Sequence, residues 1–196
     1  MNRERLTAFS DGVIAIIITI MVLELRPPAG TDWAALLGML PFFLTYALSF
    51  LYVAIYWNNH HHLLHTVRHV TGQIMWANMV LLFVLSLTPF ATAWLGAHYR
   101  SPVPTAVYGI ALSLPAIAYF VLERTILAAE GRDSVLARAL GRDVKGKASM
   151  VLYAIAVGLA FVDPWLSLGI YALVAGWWLV PDRRIERNLP RAREGR

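Results

Sequence analysis

The stretch Arg5-Leu6-Thr7-Ala8-Phe9-Ser10-Asp11-Gly12-Val13-Ile14-Ala15-Ile16-Ile17-Ile18-Thr19-Ile20-Met21-Val22-Leu23-Glu24 sets an ionisable, polar cluster directly in front of an isoleucine-rich run. The uncharged part, residues 12–23, is 12 residues long, whereas a helix crossing a hydrocarbon layer of about 30 Å needs roughly 20 apolar residues. One helix over Leu6–Leu25, with Asp11 and Glu24 near its ends, meets that requirement. At about 100° per residue, Ile16, Ile20 and Leu23 fall within about 60° of one another and Thr19 lies at the edge of their stripe. Ser10 and Asp11 project to the opposite half. The aliphatic stripe can face a partner, a symmetry axis, lipid or a neighbouring helix. Ser10 and Asp11 either cap the helix at an interface or face their own bundle, where a charge near hydrocarbon must find donors.

The remaining chain repeats the apolar theme. Residues 33–67, 70–99 and 101–122 contain no Asp, Glu, Lys or Arg, and 70–99 is interrupted only by His98. They predict spans near 36–58, 72–95 and 104–125. Two further runs, 148–162 and 165–181, are separated by Asp163-Pro164, a helix-breaking turn that makes them a helical hairpin. The first of these lengthens to 147 if Lys145 and Lys147 reach outward along their apolar stems. The fold class is therefore an all-α membrane protein with six transmembrane helices, near 6–25, 36–58, 72–95, 104–125, 147–162 and 165–181.

Composition agrees. Of 196 residues, 58% are hydrophobic and 15% charged, against about 45–50% and about 25% in soluble domains. Cysteine is absent, which excludes disulfides, thiolate metal sites and a cysteine nucleophile. No small-residue cleavage site follows the first run, where Leu23-Glu24-Leu25-Arg26-Pro27-Pro28 stands, so that run is expected to be retained.

Six spans put both termini on one side. Fifteen of the 17 Lys and Arg then share it and two, Arg26 and Arg100, lie opposite. The positive-inside rule places both termini in the cytoplasm, with the chain in the inner membrane. Charge flanking the spans also accounts for the net +5 without nucleic acid as a partner. Residues 1–181 read as a six-helix transmembrane domain, and 182–196 as a basic cytoplasmic tail lying along anionic headgroups or free of them. The connection Glu123–Lys147 reads as a solvated, partly helical loop. Tryptophans 33, 57, 76, 94, 165, 177 and 178 sit mostly near span ends, as an interfacial belt does. Ala154 with Gly158, and Ala156 with Ala160, have the four-residue spacing of close helix contacts.

Arg5, Phe9, Ser10 and Asp11, followed by Gly12-Val13 and the Ile-rich helix, resemble the signature that opens the six-helix repeat of the transmembrane protein 175 family of potassium channels. The similarity continues at Trp57, His60, His61 and Leu63, ending the second span, and at Asn78, Leu82-Phe83 and Pro89 in the third. The last three spans match by length and hydropathy alone. The resemblance implies a channel without a re-entrant pore loop, and the chain contains no Thr-Val-Gly-Tyr-Gly. It implies one repeat per subunit, a homotetramer around an axis, and the first helix of each copy lining the pore. The family's narrowest ring maps onto Ile16, with Thr19, Ile20 and Leu23 as further pore positions. A polar network carries over onto Arg5, Ser10, Asp11, Trp57 and His60, with Phe9, His61 and Asn78 at accompanying motif positions. The extra His62 leaves open which imidazole pairs with Asp11.

The function implied is passive, modestly potassium-selective conduction. A ring of isoleucines offers an ion no oxygen ligand, so it gates by dewetting and discriminates by the cost of partial dehydration. Thr19 adds a hydroxyl, and Glu24 either concentrates cations at the outer mouth or faces headgroups. The lipid bilayer, sister copies and monovalent cations are the expected partners, and potassium is a permeant ion with no cofactor beside it.

Rival readings remain. A secondary transporter or a proton-conducting protein of the same fold is the alternative, although neither inverted repeats nor mid-span ionisable residues are visible. No catalytic constellation marks an enzyme. Five of the six histidines lie in 60–69; His61, His65 and His69 have a zinc-compatible spacing, but the cluster reads first as an interfacial helix end where imidazoles meet water. Six histidines are too few for a di-iron oxygenase. Titration of this cluster implies a weak cytosolic pH dependence, which flat flux between roughly pH 6 and 8 would dismiss.

Overall fold

A computed structural model describes residues 2–131, 134 and 144–179, and the architecture is all-helical among them. The helices are α1 (Arg3–Leu23), α2 (Trp33–Gly38), α3 (Leu40–His65), α4 (Gly72–Leu85), α5 (Thr88–Ala97), α6 (Pro102–Glu130), α7 (Val144–Leu159) and α8 (Pro164–Leu179). Four stretches are long and apolar enough to cross a membrane: α1, α3, α4 with α5, and α6. Helices α7 and α8 have 16 residues each, about 24 Å at 1.5 Å per residue. The 182–196 tail and most of the 131–143 connection lie outside the described residues, as do the arginines counted there.

Local chemistry sets the ends. The α1 N-cap is Asn2, whose side chain accepts the Glu4 amide at 2.6 Å, with Glu4 in the first turn complementing the helix dipole. Ser10 and Asp11 are thus not a cap but lie well inside the helix. Asp32 caps α2 and Thr71 caps α4 in the same way.

The third expected span is not one straight helix. It breaks at Ser86-Leu87 because Pro89 has no N–H to offer the Leu85 carbonyl. Nor does the fourth span end near residue 125. It runs to Glu130 and stops at Gly131, whose φ of +84° suits glycine. Glu123, expected in a solvated loop, is therefore inside a helix and buried. The face it lies on is packed against α7, which the charge pattern did not foretell. Beyond it, Glu130 accepts the Arg68 amide at 2.7 Å and holds the end of α6 against the α3–α4 turn.

Two cores stabilise the bundle. In one, Leu6, Ile14, Ile17 and Met21 of α1 meet Val53 and Leu64 of α3, Ile74, Leu81 and Leu85 of α4, and Leu122 and Ile126 of α6. The other gathers Tyr52, Leu95, Tyr108, Tyr153 and Tyr171 from α3, α5, α6, α7 and α8. Its hydroxyls are satisfied internally, as an apolar surrounding demands. Tyr108 shares a hydrogen bond with Ser49 at 2.9 Å, Thr92 donates to Ser49 at 2.7 Å, and Tyr52 donates to the Tyr171 carbonyl at 2.6 Å.

The α7–α8 hairpin forms as expected across Asp163-Pro164. Of the two small-residue pairs, Ala156 and Ala160 are buried, and Ser167 of α8 donates to the Ala156 carbonyl at 2.7 Å. Gly158 instead faces open space.

Gly109 marks the tightest crossing. A Cβ there would overlap the Tyr171 hydroxyl and stand 2.7 Å from Tyr171 Cζ and 2.8 Å from Val157 Cγ2. Gly109→Ala is expected to destabilise the fold by about 1–2 kcal/mol, because a packed aromatic must shift. Unfolding of purified protein in mixed detergent micelles, compared with Gly158→Ala, measures it.

Candidate functional site

Helix α1 has two faces that burial separates cleanly. Leu6, Ser10, Ile14, Ile17 and Met21 are buried at i, i+4, i+8, i+11 and i+15, against α3, α4 and α5. On the other face Ile16 is 60% exposed, Ile20 43% and Leu23 73%. Thr19 is exposed too, its hydroxyl donating to the Ala15 carbonyl at 2.9 Å, which leaves the oxygen lone pairs outward. Phe9 continues the same side toward the N-terminus, and Glu24 follows Leu23, also exposed. All four stripe residues are thus left uncovered by their own subunit, and an apolar stripe of this length needs lipid or protein against it.

The polar residues resolve into two separate arrangements. The first is buried: Asn78 Nδ2 donates to Ser10 Oγ at 2.9 Å, and Asn78 Oδ1 pairs with His60 Nε2 at 2.7 Å. Ser10 passes its own proton to the Leu6 carbonyl at 2.9 Å. Since an amide oxygen can accept and not donate, His60 carries its proton on Nε2. Its Nδ1 is buried with no hydrogen-bond partner among the described residues. Asn78 of α4 thereby links α1 to α3.

The second arrangement is at the surface of the subunit. Trp57 Nε1 donates to Asp11 Oδ1 at 2.9 Å, the Trp57 ring lies 6.0 Å from His61, and His61 meets His65 edge-on at 4.4 Å. Residues 57, 61 and 65 follow one another at i+4 along α3, which is why they stack. No imidazole hydrogen-bonds Asp11 among the described residues, so the open choice of histidine resolves in favour of the indole. Arg5 is exposed and makes no hydrogen bond or ion pair among the described residues. Arg3 instead reaches the His65 carbonyl at 3.3 Å. His69 is not brought to His61 and His65, and no group of three metal-ligating side chains occurs among the described residues.

Because Trp57 is 44% exposed in the subunit, loss of the Asp11 carboxylate strands no buried donor there. Asp11→Ala is expected to change the stability of the subunit itself by less than about 1 kcal/mol, and to show its effect in assembly or flux. Wild-type oligomer size and flux together would remove Asp11 from any role between copies.

Sequence reasoning missed the hydroxyl chain of Ser49, Thr92 and Tyr108, and it missed buried Glu123. The available signal was a set of tyrosines well inside their spans, at 52, 153 and 171, away from the interfaces that tyrosine favours; Tyr108, near a span start, gave none.

Comparison with known proteins bears on this geometry. Residues 5–89 match the family model described as endosomal/lysosomal potassium channel TMEM175. The chain is 52% identical, over 96% of its length and 98% of the relative's, to a potassium channel of Chryseobacterium sp. (strain P1-3). A shorter region, 52% of this chain and 23% of the relative, is 32% identical to the endosomal/lysosomal proton channel TMEM175 of Homo sapiens. The fold superposes with a TM-score of 0.80 and 28% identity on the crystal structure of a lysosomal potassium-selective channel TMEM175 homolog from Chamaesiphon minutus, over 96% of this chain and 98% of that one. With a matching fold, near-complete overlap with its bacterial relatives, and signature residues Ser10, Asp11, Trp57, His60 and Asn78 at two α1-centred contacts, this chain belongs to the TMEM175 family of channels.

Proposed function

We propose that the protein is a potassium-conducting channel of the inner membrane, a homotetramer in which α1 of each copy lines a central pore. Residues 1–181 form the channel domain and cross the membrane six times, α7 and α8 completing the count. Both termini are cytoplasmic, and 182–196 is a basic tail. No re-entrant loop contributes to conduction. The observation that carries this reading is the uncovered stripe Ile16, Thr19, Ile20 and Leu23 on a helix whose other face is fully packed. Bacterial relatives named potassium channels support the choice of ion.

Four Ile16 side chains around an axis form a constriction that wets and dries, and the cation passes when it is wet. Selectivity is modest because it rests on the cost of partial dehydration, lower for potassium than for sodium. Asp11 with Trp57, partly exposed in one subunit, and Arg5, exposed, then lie where a neighbouring copy can meet them. Flux from liposomes under potassium and sodium gradients, together with the mass of the purified protein in detergent, tests the proposal. Gradient-driven potassium flux with a four-chain mass supports it. Saturable, substrate-coupled uptake would establish a transporter instead.

Proton conduction is a second reading, favoured by the name of the mammalian relatives. A pH-sensitive dye inside the same vesicles, with potassium absent, separates the two.

A further inference from the structure

At the C-terminal end of α3, two imidazoles are held nitrogen to nitrogen. His61 and His65 stand one helical turn apart, with their Nε2 atoms 3.1 Å from each other. The rings are inclined at 67° and their centroids are 4.4 Å apart. An end-to-end contact would separate the centroids by two ring radii more than the nitrogens, so the two Nε2 edges instead converge on one side of the helix. A divalent ion bound by histidine sits about 2.0–2.1 Å from each nitrogen, and a 3.1 Å bite then subtends about 95–100° at the ion. That angle lies between a square-planar and a tetrahedral corner, the geometries that Cu²⁺ and Zn²⁺ take.

Both nitrogens can be reached by such an ion. His65 is exposed and His61 partly so, and the hydrogen bond between them is the only one either ring makes among the described residues. One ring holds a proton on Nε2 for that bond. Moving it to Nδ1, a change of tautomer without change of charge, leaves two lone pairs facing the ion. The pair is supported from two sides: the Trp57 ring lies 6.0 Å from His61, tilted by 32°, and the Arg3 guanidinium donates to the His65 carbonyl at 3.3 Å. Ligands held in this way lose less freedom on binding. Arg3 also brings positive charge, so the ion must be held by coordination and not by the local field. That favours the ions with the highest affinity for imidazole and excludes Mg²⁺, which takes oxygen ligands. Cysteine is absent from the chain, so no thiolate competes.

We propose that His61 and His65 form a two-point clip for a divalent first-row transition ion, Cu²⁺ above Zn²⁺, with water completing its coordination. The site is independent of the pore, and conduction does not require the ion. Untagged full-length protein in detergent is titrated with Cu²⁺ by calorimetry and read by electron paramagnetic resonance. One Cu²⁺ per chain is expected, with a Kd of about 10 μM or tighter and a spectrum split by two imidazole nitrogens. His61→Gln and His65→Gln each weaken binding at least about tenfold, whereas His62→Gln and His69→Gln leave it within about twofold. Zn²⁺ displaces the bound Cu²⁺ only in excess, as the stability order of these ions requires. The spectrum is recorded on unaltered protein, so coupling to fewer than two nitrogens overturns the proposal even if a variant fails to fold. Undiminished affinity in His61→Gln or in His65→Gln overturns it too. So does an equal loss in His69→Gln, which would make a looser histidine cluster the ligand.

Discussion

Ile16→Asn is expected to raise potassium flux through reconstituted protein at least about tenfold, a barrier lowered by about 1.4 kcal/mol, while the preference for potassium over sodium falls toward one. The reason is the chemistry of the proposed Ile16 ring. Isoleucine gives a passing ion no substitute for the water it sheds, so a narrow isoleucine collar stays dry much of the time and taxes every crossing. An amide of similar size keeps the collar wet and supplies oxygens. Both effects point to faster passage, and wetting also erases the difference in dehydration cost on which modest selectivity depends. Ile16 is suited to the test because it is 60% exposed in the subunit, so the change leaves the core untouched. Unchanged flux and ion ratio would place this residue away from the ion path and α1's stripe against lipid.

Asn78→Leu is expected to cost about 2–3 kcal/mol of stability, because a stranded buried donor costs about 1–3 kcal/mol. Asn78 is fully buried and is the bridge in the chain Ser10–Asn78–His60. Leucine matches its volume roughly but offers no oxygen, so the His60 Nε2 proton loses its acceptor in a ring whose Nδ1 already has no partner among the described residues. Interhelical hydrogen bonds in membrane proteins average about 0.6 kcal/mol. The larger figure governs here because the imidazole is left with neither ring nitrogen satisfied. Ser10 suffers less, since its proton still reaches the Leu6 carbonyl. Unfolding by graded dodecyl sulfate in mixed micelles gives the difference, and a loss below about 0.5 kcal/mol, under the average interhelical bond, would mean that water or a rearranged side chain takes over from Asn78.

One substitution changes the uncovered face of α1 and the other, on α4, removes the partner of Ser10 on α1's buried face, and periodicity alone separates those two faces of α1. Helical arithmetic puts Ile16, Ile20 and Leu23 together, and all three are uncovered while Ile14, Ile17 and Met21 are packed. It could not distinguish Ser10 from Asp11. Both project away from the stripe, but consecutive residues differ by about 100° around a helix. That angle sends Ser10 into the core toward Asn78 and Asp11 to the flank toward Trp57. Which residue meets which partner depends on the placement of α3 and α4, a matter of packing.

Long charge-free runs and Pro-marked breaks were enough to establish an all-helical membrane chain, because a bilayer forbids unsatisfied backbone and demands about 20 apolar residues per crossing. The opening signature, with the motif positions that follow it as far as Pro89, likewise pointed to the family. Only the tertiary structure decided that Asp11 binds an indole and His60 an amide, that Glu123 is enclosed beside aromatic rings, and that four tyrosines form a hydroxyl-satisfied second core. These depend on distances between residues far apart in the chain, such as 10 and 78 or 49 and 108. Periodicity reports which way a side chain points from its own helix and carries no information about what waits there.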